Sequence, residues 1–194
     1  MLVDTAVRTV DGVPVPAAGT TLVFDPAHSS IEVVVRHLMI AKVRGTFGSF
    51  SGTIHVEEDP ETSTADVTIE AASINTGDAT RDEHLRSADF LDVERYPKIE
   101  FHSTGMRRKD RCRFDVSGDL TLHGVTREVL VACEYQGLTT DPWGNQRVVL
   151  SAEAEIDRTE FGLNWNQALE TGGVLVGQQV KVTAEIQAVP QREA

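Results

Sequence analysis

In the stretch IEVVVRHL, residues 31–38, the side chains of Ile31, Val33, Val35 and His37 fall on one face of an extended chain and Glu32, Val34 and Arg36 on the other, because successive residues of a strand point to opposite sides. The same period of two recurs over residues 20–25, 30–38, 43–57, 64–74, 97–109, 111–122, 125–136, 145–156 and 174–189, while sustained helical periodicity is nearly absent. An all-β fold follows. Several of these strands exceed the usual length of about five or six residues. Long strands at short turn spacing predict a barrel or deep sandwich in which closure removes exposed edges.

The inward faces carry a second message. Phe114, Val116, Leu120 and Leu122 meet Val125, Val129 and Val131 across a hairpin pivoting on His123-Gly124, which is bulky packing. Elsewhere the inward residues are small: Ala65 and Ala71 beside Val67 and Ile69, Ala152 and Ala154 beside Leu150 and Ile156, Ala184 and Ala188 beside Val182 and Ile186, and Gly48 and Gly52 around Phe50. A barrel of eight strands is just wide enough to be filled by side chains or to hold one small ligand, so small wall residues favour the second. The rival is that the alanines pack against the bulky wall and the glycines relieve tight bends.

One segment, NTGDATRDEHLRSADFLDVERYP at residues 75–97, departs from the strand pattern. Asp78 or Thr80 caps a short helix over Arg81 to Ala88, and Tyr96-Pro97 stops it. Leu85, Phe90 and Leu91 are the expected anchors of this insert, which covers one end of the barrel. Residues 1–19 contain Pro14, Pro16 and Gly19 and read as a flexible N-terminal lead to a domain over 20–190.

A chain of 194 residues with 40% hydrophobic content suffices for one domain with a sizeable core. Its net charge of −12 argues against a nucleic-acid partner. The densest cationic run, Arg107, Arg108, Lys109, Arg111 and Arg113, is interrupted by Asp110 and reads as a solvated hairpin turn in preference to a lipid-headgroup or phosphate patch. No apolar run approaches the roughly 18 residues of a spanning helix, and the N-terminus lacks a continuous apolar signal segment, so a cytoplasmic location is expected. Cys112 and Cys133 fall as diagonal neighbours on one inward face, where free buried thiols are expected over a disulfide. Homodimerisation through long exposed strands is compatible with the pattern.

The six histidines show no metal-ligand spacing, so no metal is expected. There is no Gly-x-Ser-x-Gly elbow, and the glycine-rich GTFGSFSG at residues 45–52 continues into a strand rather than a phosphate-binding helix. No catalytic residue or cofactor cradle is assigned.

His37 followed by VRGTFGSFSGTI, then SINTGDATRDEHLRSADFLDVERYPKIEF, VSGDLTLHGVTREV, IDRTEFGL and VLVGQQVKV resemble, in order, the successive motifs of the YceI-like family. The resemblance runs from about Thr20 to Val189. It implies an extended eight-stranded antiparallel, lipocalin-like barrel with a short helical insert covering one end and a tunnel for a polyisoprenoid, such as a polyprenyl quinone or a related amphiphile. No established catalytic chemistry comes with it. The family's polar positions fall on Arg81, Asp82, His84 and Leu85, on Asp89, Phe90 and Asp92, and on Asp157, Arg158, Phe161 and Gly162. Carboxylates among them are expected to satisfy the planar forks of Arg81 and Arg158 and lock the insert to the barrel.

The expected ligand-binding residues are His37, Phe50, Val67, Ile69, Phe101, Phe114, Leu120, Val129, Leu150, Phe161 and Val182, with Trp143 and Trp165 in loops that rim an opening or cover apolar edges. His37 ends an apolar face and needs a partner, either protein or a ligand headgroup, because an unpaired buried polar group costs about 1–3 kcal/mol. The leading reading is non-enzymatic binding, transport or storage of a long-chain isoprenoid. The rival is an enzyme acting on a small lipid or isoprenoid-derived substrate, with His37 or His84 as general base.

Overall fold

The computed structural model describes residues 7–38, 40–170 and 172–191. A hairpin of β1 (Val7–Val10) and β2 (Val13–Pro16) precedes the strands β3 (Thr21–Phe24), β4 (Ser30–His37), β5 (Ala41–Phe47), β6 (Phe50–His55), β7 (Thr64–Glu70) and β8 (Ile74–Asn75). Helix α1 (Ala79–Arg86) follows, then the longer strands β9 (Lys98–Arg108), β10 (Arg113–Leu122), β11 (Val125–Thr140), β12 (Gln146–Asp157) and β13 (Val176–Pro190).

β13 runs antiparallel to both β3 and β4, so these two are halves of one lane, kinked at the single turn Pro26–His28. Asp25 sets that kink by accepting a hydrogen bond from the Ala27 N–H at 3.1 Å, and Pro26 fixes the following φ. β5 and β6 pair with the two halves in turn, and β7 and β8 continue as a third broken lane around the turn Ala71–Ser73. Three broken lanes and β9 to β13 make eight. Pairing of β12 with β13 from Val148 opposite Ala188 to Asp157 opposite Gln179 closes the ring. The architecture is an eight-stranded antiparallel barrel, and closure leaves no long edge to aggregate. The strands drawn over 43–57 and 64–74 were each continuous in the sequence reading; the structure breaks both where the wall bends.

The β10–β11 hairpin turns on His123-Gly124, and Phe114 lies opposite Cys133 as that pivot requires. Both cysteines are free. The largest departure from the sequence reading lies at the N-terminus, where residues 7–16 form an ordered hairpin instead of a flexible lead. Its two-residue turn places Asp11 at φ 52° and Gly12 at φ 80°, the left-handed pair that a tight hairpin needs and that Asp-Gly supplies at low steric cost. Pro14 and Pro16 are tolerated because β2 has only β1 as a paired strand, which leaves its other edge free of a ladder.

Helix α1 starts on Asp78, whose carboxylate accepts from the Arg81 N–H at 3.0 Å. Asp82 is buried and accepts from both the backbone N–H and the hydroxyl of Thr76, at 2.8 and 2.6 Å. Arg86 donates to the carbonyls of Ala72 and Ile74, each at 2.7 Å. The helix is thereby tied to the end of the β7–β8 lane. The Thr76 hydrogen bonds hold the Asp82 carboxyl below its usual value of 3.8, with the charges of Arg86 and Arg81 adding to them.

A depressed carboxylate stabilises the fold above its unfolded pKa, and that stabilisation is lost as pH falls through the folded value. Asp82→Ala should therefore cost about 1–3 kcal/mol near neutrality by stranding the Thr76 donors, which lowers the melting temperature by several degrees. The gap between variant and wild type should narrow in melts taken well below pH 3.8.

Candidate functional site

The barrel encloses an apolar cavity of about 610 Å³. His37, Val67, Ile69, Phe101, Phe114, Leu120, Val129, Leu150 and Val182 all line it. Two expected members do not. Phe50, the first residue of β6, and Phe161, on the single turn Arg158–Phe161 that follows β12, are packed into the core with Ile74, Ile99 and Leu163. Phe161 lies beyond the end of its strand, so the period of two no longer governs where it points.

The small wall residues separate in the same manner. Ala152 faces Ala184 and Ala154 faces Val182 across the β12–β13 ladder, and all four border the cavity, as does Ala65. Ala71 and Ala188, by contrast, are completely enclosed by protein. Gly52 leaves no empty space: a Cβ there would lie 2.4 Å from the Phe24 ring, so the glycine is a slot that lets this ring lie flat on the wall.

The insert covers part of the cavity. Leu85, Phe90 and Leu91 border it there, together with His84 and Trp165. The His84 ring packs edge-on against Phe90 at 5.0 Å and Trp165 at 4.8 Å, while its Nε2 lies 2.9 Å from the Asp89 carboxylate. His37, last in β4, borders the cavity opposite Val176 and Ala41, and its ring has no hydrogen-bond partner among the described residues. Trp143 is 77% exposed in the β11–β12 turn and borders no part of the cavity.

The expected arginine–carboxylate pairs are not made. Arg81 donates from Nε to the Thr76 hydroxyl at 2.7 Å and from a terminal nitrogen to the Thr76 carbonyl at 3.0 Å. Arg158, 4% exposed, donates to the carbonyls of Gly177 at 2.9 Å, Val176 at 3.3 Å and Leu163. Asp157 caps its own turn through the Thr159 N–H and hydroxyl, at 2.9 and 2.6 Å. Arg81 thus ties the helix to the segment that leads into it from β8, and Arg158 ties the turn after β12 to the start of β13.

The β1–β2 hairpin lies against another part of the cavity, where its Val10, Val13 and Val15 border it with Arg8. Arg8 donates to the carbonyls of Glu57 and Glu58 and pairs with the Glu58 carboxylate at 3.1 Å. The Tyr135 hydroxyl donates to the Pro14 carbonyl at 2.6 Å, and Arg108 and Arg111 both bind Asp11. The sequence reading missed this hairpin, although Asp11-Gly12 between Val10 and Val13 is the strongest short-range hairpin signal a sequence offers.

Burial pushes the Cys133 thiol, which borders the cavity, up to about 11, with the nearby Asp115 charge adding to the effect. Burial likewise raises the Tyr135 phenol to about 12. In a Cys112→Ser background, Cys133 should react with iodoacetamide at pH 8 on the order of a hundred times more slowly than a thiol at the ordinary value of 9.0, because the thiolate is the nucleophile. A rate near that of free cysteine would show the thiol to be solvated.

The barrel geometry is shared with known proteins. The family model for the YceI-like domain matches residues 22–188. The chain belongs to the YceI-like family. A UPF0312 protein of Staphylococcus aureus (strain bovine RF122 / ET3-1) is 39% identical to this YceI-like chain over 167 residues, which is 85% of this chain and 95% of the relative.

The crystal structure of Burkholderia cenocepacia BcnA superposes with a TM-score of 0.72 at 21% identity, covering 84% of this chain and 98% of that one. The Campylobacter jejuni YCEI protein gives 0.68 at 27% identity, covering 81% and 90%. A polyisoprenoid binding domain from Saccharophagus degradans, implicated in plant cell wall breakdown, gives 0.69 at 18% identity, covering 89% and 99%. The YceI-like match starts after β1 and β2, so the hairpin lies outside it. Among the described residues no helix is long and apolar enough to cross a membrane.

Proposed function

We propose that the barrel binds a long-chain isoprenoid or related amphiphile in its interior and carries or stores it unchanged. The observation that carries this reading is the apolar cavity of about 610 Å³ bordered by the helical cover and the N-terminal hairpin. Description of the Saccharophagus degradans neighbour as a polyisoprenoid binding domain supports it. The walls suit a chain-like apolar guest: each buried methylene contributes about 0.8 kcal/mol, so a few isoprene units give useful affinity with few polar contacts. That sum saturates along a long tail, because ordering the tail costs free energy.

Catalysis through His37 or His84 is the rival. His84 is engaged on three sides, by Asp89, Phe90 and Trp165, which suits a residue that holds the cover in place. Native purification followed by solvent extraction and mass spectrometry tests the two readings together. An intact lipid in near-stoichiometric amount is expected, unaltered on incubation with the protein. Turnover that vanishes in His37→Ala and His84→Ala would replace carriage with catalysis.

A further inference from the structure

The charges on the cavity wall are the reverse of those of the chain. The sequence has 30 acidic residues against 18 lysines and arginines, yet among the described residues bordering the cavity are five arginines and one carboxylate residue, Glu153. The Glu153 carboxylate itself is 60% exposed on the outside and pairs with Lys181 at 2.9 Å. The cavity thus carries cationic side chains and no inward counter-charge of its own.

Two of the five arginines are occupied by the scaffold: Arg81 by Thr76 and Arg158 by three carbonyls. The other three, Arg8, Arg108 and Arg111, converge on the hairpin end. Strand alternation places them there. In the cationic run, Arg107 and Lys109 turn outward to share Asp115, at 3.0 and 3.2 Å, whereas Arg108 turns to the cavity with Arg111 just beyond the strand end.

Their partners within the protein are backbone carbonyls, of Pro16, Glu57 and Glu58 for Arg8 and of Asp11 for Arg111, and two carboxylates that lie mostly in solvent. Glu58 is 87% exposed and pairs with Arg8; Asp11 is 63% exposed and binds Arg108 through its carboxylate and Arg111 through its carbonyl. The Nε of Arg108 is sealed from solvent and has no hydrogen-bond partner, and its guanidinium carbon stands 5.7 Å from the centre of the cavity-lining Phe114 ring. A buried donor of this kind needs an acceptor, and Arg108 borders the cavity, where one can be supplied.

We propose that the hairpin end of the cavity is a subsite for the anionic headgroup, phosphate or carboxylate, of an amphiphile whose tail fills the barrel. Planar guanidinium forks match both oxyanions. The subsite rests on the reading of the cavity as a lipid site. Arg8 comes from the hairpin, outside the residues that the family model matches, so the assignment is to this chain's own hairpin and not to the barrel at large.

The test uses the full chain with farnesyl phosphate and farnesol, which share a tail and differ in headgroup charge, each titrated against a fluorescent apolar probe held in the cavity. Wild type should bind the phosphate more tightly by at least about tenfold. Arg108→Gln and Arg111→Gln should bring the two within about twofold by weakening the phosphate alone, with farnesol affinity reporting that each barrel is intact. Arg81→Gln, in the helical cover, should keep the wild-type ratio.

Equal binding of phosphate and alcohol by wild type, or a ratio untouched in both arginine variants, overturns the subsite and leaves the lipid cavity standing. Failure of both isoprenoids to displace the probe removes the lipid reading and the subsite with it. Millimolar inorganic phosphate should leave the preference unchanged; if it abolishes the preference, the arginines form a free-anion site and the headgroup assignment falls.

Discussion

Ala154→Phe should leave a folded barrel that binds the proposed isoprenoid guest far more weakly, and Ala184→Phe should do the same. Both positions border the cavity on the β12–β13 ladder, where Ala154 lies opposite Val182 and Ala184 opposite Ala152. A phenyl ring entering the 610 Å³ space displaces a stretch of guest chain instead of opening a hole in the protein. Losing three or four methylenes of contact at about 0.8 kcal/mol each amounts to about 3 kcal/mol, or about a hundredfold in affinity. Stability should move much less, because the overpacking cost of about 1–3 kcal/mol arises where no room exists, and here there is room. The ratio of extracted lipid to protein, measured beside a thermal melt, checks both halves of the expectation. Unchanged lipid content in well-folded variants of both kinds would show that the guest does not lie along this wall.

Alternation made the barrel legible because every long strand has one face on the interior and the other on solvent. The α1 helix was legible too: Asp78 is a strong cap, and the helix, drawn over 81–88, forms over 79–86. Properties that depend on how lanes meet in space were not legible. Breaks at Gly48-Ser49 and Ala71–Ser73 lie inside runs that read as uninterrupted, because the bend answers to barrel curvature and not to a local breaker alone.

Phe50 and Phe161 carried the right chemistry for a lipid wall, but burial in the core cluster decides their role, and that cluster gathers residues such as Ile74 and Ile99 from strands distant in sequence. The N-terminal hairpin was misread for a different reason. Two prolines and a glycine outweighed Asp11-Gly12, whereas an isolated two-stranded ribbon that leans on a barrel accepts proline readily. The cationic run was read correctly as a hairpin, but only its three-dimensional alternation shows that Arg107 and Arg108 belong to opposite sides of the wall.

Arg158→Ala should be among the most destabilising single substitutions in the chain. Its guanidinium is 4% exposed, and burial draws its pKa down against the opposing pull of the Asp157 charge, yet it stays a cation because three carbonyls surround it. These carbonyls belong to Leu163, after the β12 turn, and to Val176 and Gly177, at the start of β13. One side chain therefore pins the segment that leads from β12 into the strand that closes the barrel. Alanine strands the Leu163 and Gly177 carbonyls, while Val176 keeps the Asn166 amide at 2.7 Å. Two orphaned acceptors at about 1–3 kcal/mol each, together with lost packing, come to about 3–5 kcal/mol. For a domain of this size that lowers the melting temperature by about 10 °C.

Lysine should recover only part of the loss, since a point-like ammonium cannot span three acceptors as a planar fork does. A fall smaller than about 1 kcal/mol would mean that water takes over the stranded carbonyls. The same pair of variants separates the two classes of cavity arginine. If Arg158 serves the scaffold, Arg158→Lys should bind farnesyl phosphate and farnesol in the wild-type ratio despite its lower stability, whereas Arg108→Gln should shift that ratio with little change in melting.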